Sequence, residues 1–84
     1  MYTIQYTRQA IKAIRKMSAN EAGLIRAKIL ELAVDPFAGP NVKRLAARHG
    51  YRLRVGDWRV IYEVHVNQQL LSILKIAPRG GAYR

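Results

Sequence analysis

Cysteine is absent from the 84 residues, so no disulfide braces the fold and no thiolate is on hand as nucleophile or metal ligand. Acids are scarce: five Asp and Glu stand against fifteen Lys and Arg. Five scattered carboxylates do not readily supply the ligands of a two-metal nuclease. Histidine occurs twice, at His49 and His65, without metal-ligand spacing. Ser18 and Ser72 have no evident base partner. No apolar run reaches the roughly 18 residues that a membrane span needs, and "MYTIQYTRQA" lacks the apolar core of a secretory signal. Neither "GDW" nor "RGG" opens a helix as a phosphate-binding loop does. These absences fit a cytoplasmic protein with no metal, no cofactor and no membrane partner.

What is present is positive charge on a folding chain. Half of the residues are hydrophobic, which argues for a packed core and against a disordered basic tail. The length fits one domain spanning residues 1–84. The formal net charge is +10 and the pI is near 10.7. Residues 43 to 84 hold nine of the fifteen cations, with only Asp57 and Glu63 as acids. A folded domain so basic on one half calls for a polyanionic partner. Nucleic acid is the first candidate, an acidic protein the second and a charged membrane surface a distant third.

Hydrophobic period and capping signals divide the chain. "YTIQYT" (Tyr2 to Thr7) alternates β-formers and reads as a strand. In "RQAIKAIRKM", Ala10, Ile11, Ala13, Ile14 and Met17 recur at helical spacing. Ser18 with Glu21 three residues on forms a capping box that opens a second helix. That helix runs to about Val34 and buries Ala22, Ile25, Ile29, Leu32 and Ala33, with Arg26, Lys28 and Glu31 toward solvent. Ile11, Ile14, Ile25 and Ile29 are assigned to the core. Asp35-Pro36 stops the helix. "PFAGPN" is a loop, Val42 to Leu45 a short extended piece, and Gln69 to Ile76 a last strand after a turn at Asn67-Gln68. The order β-α-α-β-β-β predicts an α+β fold: a mainly antiparallel sheet of about four strands, with two N-terminal helices on one face.

The most informative stretch is "YRLRVGDWRVIYEV", residues 51 to 64. Gly56-Asp57 is a two-residue hairpin turn, which sets Val55 opposite Trp58, Arg54 opposite Arg59 and Tyr51 opposite Tyr62. Alternation then gives a core face of Tyr51, Leu53, Val55, Trp58, Val60, Tyr62 and Val64. The other face carries Arg52, Arg54, Arg59, Ile61 and Glu63. Like charges directly opposite destabilise a hairpin. The second sheet face is therefore expected to be at least partly open and to serve an anion. A three-residue loop before the last strand would put Leu70, Ser72, Leu74 and Ile76 on the core face. Lys75 then joins Arg59, and Arg79 emerges beside them. Glu63 is placed for a diagonal pair with Arg52. Tyr83, in a Gly-rich tail beside Arg84, either packs on the sheet edge or stacks on a base.

These residues resemble a known family. "YRLRVGDWRVIYEV", followed by a strand and "IAPRGGAYR", is similar to the RelE/ParE superfamily of bacterial and archaeal toxins, and the likeness includes the two helices and the "DPF" after them. RelE-like members are endoribonucleases that cleave mRNA in the ribosomal A site; ParE-like members poison DNA gyrase. Carried over by position, the RelE pattern implies catalytic roles for Arg52, Arg54, Arg59, Arg79 and Tyr83. Lys43, Arg44, Arg48, Lys75 and Arg84 then serve RNA or ribosome binding. The strand positions that are often lysine in RelE are arginine here, and Pro78 stands where many relatives have histidine. Arginine does not lose its proton, which favours electrostatic activation at Arg52 and Arg54 over a general base. The resemblance further implies an acidic cognate antitoxin as partner, beside mRNA and ribosomal RNA, in a hetero-oligomer able to bind operator DNA through the antitoxin. The alternatives are a gyrase-directed toxin without enzymatic activity and a non-catalytic nucleic-acid-binding module.

Overall fold

A computed structural model of the chain describes residues 1–45 and 50–79. Its first strand, β1 (Thr3–Tyr6), leads into helices α1 (Arg8–Lys16) and α2 (Ala19–Val34). The strands β2 (Val42–Arg44), β3 (Tyr51–Val55), β4 (Trp58–His65) and β5 (Leu70–Pro78) follow. Among the described residues they form one sheet in the order β1-β5-β4-β3-β2. The sheet has five strands, one more than the sequence suggests, because Val42–Arg44 pairs with β3. It is also mixed: β1 runs parallel to β5.

Both helices begin where side chains can satisfy their first N–H groups. Thr7 caps α1, its hydroxyl accepting from Ala10 N–H at 3.2 Å. Ser18 and Glu21 form the expected reciprocal box at α2. Asp35, in an extended conformation before Pro36, ends α2. The five α2 residues assigned to the core are all buried. Ile11 is not: it is 40% exposed. α1 seats on the sheet through Ala10 and Ile14, and Ile11 lies roughly 100° around the helix from Ala10.

The hairpin β3–β4 has the register its turn dictates, from Val55 opposite Trp58 to Tyr51 opposite Tyr62. Leu53, Val55, Val60 and Tyr62 enter the core, and Trp58 packs against it half-buried. The last strand differs from expectation. Four residues, 66–69, link His65 to its partner Leu70, with Gln69 in the left-handed region at φ 50°. Leu71 and Ile73 therefore fill the core in place of Leu70, Ser72 and Leu74. A bulge then inserts Leu74 between the partners of Ile61 and Tyr62. It flips the alternation back, so Ile76 reaches the core and Lys75 takes the opposite face, as expected.

Candidate functional site

The sheet face opposite the helices is built in rows across the strands. Arg54, Arg59 and Ala77 form one row, and Lys43, Arg52, Ile61 and Lys75 the next. Paired side chains on one face sit about 5 Å apart at Cβ, so five cations crowd a small area. Ile61 and Ala77, each 9% exposed, make an apolar floor between them. Arg79 joins from the strand end, where its N–H donates to the carbonyl of Asp57 at 2.6 Å.

This face is less open than alternation alone implies. Arg59 is 7% exposed, a buried cation, while Arg52, Arg54 and Lys75 are half-buried. Burial of the guanidinium, and after it the charges of Arg52, Arg54 and Arg79, lower the pKa of Arg59. Both causes disfavour the charged form, and an anion among the guanidiniums would offset both. The Nε atoms of Arg52 and Arg54 are buried without a hydrogen-bond partner. Native structures rarely leave such donors unmet. Fixed, planar guanidiniums with spare donors match a phosphodiester, which accepts two parallel N–H bonds at once.

Glu63 does not take up the diagonal pairing with Arg52. Its carboxylate lies 3.6 Å from His65 Nε2, two residues farther along the same strand face. Among the ion pairs of the described residues, Glu63 is thus not engaged by Arg52. Trp58, just before Arg59, reaches across the helix layer, where its indole N–H donates to Glu21 at 2.9 Å. That bond, ahead of those from Ser18, holds the Glu21 carboxyl below its usual pKa. The arginine end of the hairpin is thereby tied to the start of α2.

Of the ten residues singled out from the sequence, Arg52, Arg54, Arg59, Lys75 and Lys43 come together by strand register and Arg79 by its backbone bond. Arg44 does not join them: it sits opposite Tyr51, on the other face, and lines a separate hollow with Glu63 and His65. Arg48, Tyr83 and Arg84 lie outside the described residues. The sequence reading missed Ala77 as part of the floor and Asp57 as the anchor of Arg79. Both depend on β5 running on to pair Pro78 with Trp58, which no turn signal announces.

A family profile described as "ParE toxin of type II toxin-antitoxin system, parDE" matches residues 4–83. Comparison with curated proteins gives no match. Among solved structures, the chain is similar to one in an archaeal RelE–RelB complex from Pyrococcus horikoshii OT3. Identity there is 29%, coverage 96% of this chain and 98% of that one, and the TM-score 0.84. It is similar in fold to a chain of the intact E. coli RelBE toxin–antitoxin complex, with 17% identity, 93% and 96% coverage and a TM-score of 0.82. A YoeB/ParE toxin from Agrobacterium tumefaciens also shares the fold, with 19% identity, 93% and 98% coverage and a TM-score of 0.79.

Proposed function

The chain belongs to the RelE/ParE superfamily of type II toxin–antitoxin toxins, and on that premise we propose that it is a metal-independent endoribonuclease that cuts mRNA in the ribosomal A site. The observation that carries this reading is the crowded cationic face, where Arg54 stands directly opposite Arg59 and buried Nε donors of Arg52 and Arg54 lack acceptors. A protein that only needed a stable sheet would gain by replacing either partner of the facing pair with an acid.

In the proposed reaction the RNA 2′-OH attacks the adjacent phosphorus. The P–O5′ bond breaks, the 2′-OH proton passes to solvent, and the departing 5′ oxygen is protonated. Arg52 and Arg54 bind and polarise the phosphate. Arg59 stabilises the charge that develops on its oxygens, and Arg79 assists the leaving oxygen. Lys43, Lys75, Arg48 and Arg84 hold the flanking RNA or ribosome, Arg44 does so only from the other sheet face, and Tyr83 holds a base by stacking.

We also propose an acidic antitoxin partner, supported by the solved RelE–RelB complexes. Leu24, Leu30 and Val34 on α2 are 51%, 55% and 67% exposed, and burying them against the antitoxin would let the binding survive moderate salt.

The second reading is a gyrase-directed toxin, favoured by the name of the matching profile. Pulse expression separates the two. Wild-type protein is expected to arrest translation with cleaved mRNA, and a folded Arg59→Ala, Arg79→Ala double variant to be harmless. DNA damage with filamentation, or undiminished toxicity of the double variant, would replace the nuclease reading with the gyrase one.

A further inference from the structure

The sheet is not the only place where cations crowd together. On α1, Arg8, Lys12, Arg15 and Lys16 are all exposed. At about 100° per residue they fall within roughly 100° of arc, on the side away from Ala10 and Ile14. The helix contains no acid, and the ion pairs of the described residues, Lys28–Glu31 and Glu63–His65, lie elsewhere. Arg15 and Lys16 have an ordinary explanation, since cations in a last turn meet the negative end of the helix dipole. Arg8 and Lys12 do not. Arg8 occupies the first turn, where the dipole favours an acid. Lys12 is four residues from Arg8 and from Lys16 and three from Arg15, all unfavourable like-charge spacings. The helix gives up stability much as the hairpin does, and an external anion is the simplest reason for both.

The two cationic surfaces look in opposite directions. α1 packs its Ala10 and Ile14 into the core with Leu71, Ile73 and Ile76, whereas the arginines lie on the far side of the sheet. The molecule between them is only 25–33 Å across. α1 carries no aromatic residue, so base stacking, the common means of holding single strands, is not open to it. Phosphate contacts alone suit the backbone of a helical duplex, which proteins read through shape and phosphates.

We propose that the outer face of α1 binds the phosphate backbone of duplex RNA, as a second surface used while single-stranded substrate occupies the arginine face. This deepens the RNA-directed reading above and rests on it. The test compares full-length wild type with an Arg8→Gln, Lys12→Gln, Arg15→Gln variant, glutamine being a good helix former. The probes are a blunt RNA duplex and a short single strand made uncleavable by 2′-O-methyl groups. In the triple variant, duplex affinity should fall at least about tenfold and its log–log salt slope flatten by about 2–3. Single-strand binding should hold, and Arg59→Ala should show the reverse pattern. Unchanged duplex affinity and slope, in a variant whose helical circular dichroism matches wild type, would overturn the proposal. So would a loss confined to binding of an acidic antitoxin protein. Should wild type cut no mRNA on translating ribosomes while the duplex contrast persists, the endonuclease reading fails and this one stands.

Discussion

Tyr62 joins two parts of the molecule through one side chain. It is fully buried, its ring stacks on Tyr51 with centroids 5.6 Å apart, and Phe37 meets Tyr51 edge-on at 5.5 Å. Its hydroxyl donates to the carbonyl of Pro36 at 2.7 Å. The "DPF" turn after α2 is thus tied to the middle of β4, three residues beyond Arg59. Removing the hydroxyl leaves a carbonyl short of its donor, so Tyr62→Phe should lose about 1–2 kcal/mol in urea denaturation at neutral pH. Burial also raises the Tyr62 pKa well above the ordinary 10.0. The folded state therefore keeps a proton that the unfolded chain gives up above about pH 10, and stability should fall as pH rises from there. The same denaturation repeated at about pH 8 and about pH 11 should show that fall in wild type. Tyr62→Phe should lessen it, and an equal alkaline fall in both proteins would rule Tyr62 out as the cause.

At the level of elements, β5 decides where Lys75 and Arg79 go. β1 covers its edge only from Leu70 to Ile73. Beyond that point α1 supplies substitutes: Thr7 Oγ1 donates to the carbonyl of Leu74 at 2.6 Å. The Gln9 amide both donates to the Ile76 carbonyl and accepts its N–H, at 3.2 and 3.1 Å. One glutamine side chain thus mimics a neighbouring strand just after the bulge, beside Lys75. Gln9→Ala should cost about 1–3 kcal/mol and speed amide exchange at Ile76 more than at Ile73. Growth inhibition should weaken with it, because Lys75 and Arg79 depend on this segment. Uniform exchange across β5 would mean the clamp is idle. None of this was legible in the sequence, since a glutamine at a helix start carries no sign of a strand 67 residues away. The hairpin was legible because Gly56-Asp57 fixes the register and alternation does the rest, which is how Arg52, Arg54 and Arg59 could be placed on one face. α2 was legible through its capping box and its five buried positions. The register of β5 was not, because a four-residue loop and a bulge each shift the alternation by one. The two shifts cancel by Lys75, so the cation was placed correctly while Leu71 and Ile73 were missed.

For the whole molecule, the balance of fifteen cations against five acids bears on chemistry as well as on binding. With no thiol and two imidazoles, the chain has little with which to activate an external water. RNA brings its own nucleophile, and a 2′-OH held in line with the neighbouring phosphate gains the large advantage of an intramolecular reaction. In the proposed reaction the protein need only fix that geometry and stabilise the added negative charge. A preorganised donor at such a position is worth about 10²–10³ in rate. Arginine suits this task, because it stays charged even where burial and like charges lower its pKa, as at Arg59. It follows that cleavage should leave a 2′,3′-cyclic phosphate, or the 3′-phosphate derived from it, and a 5′-hydroxyl. Chelators should not slow the step so long as the ribosome stays intact. A 2′-deoxy nucleotide on the 5′ side of the cut should abolish cleavage without weakening binding, because phosphate contacts hold the strand while the nucleophile is missing. Comparable cutting of the deoxy substrate, or ends bearing 5′-phosphate and 3′-hydroxyl, would mean that water is the nucleophile and that the arginine face does not work in this way.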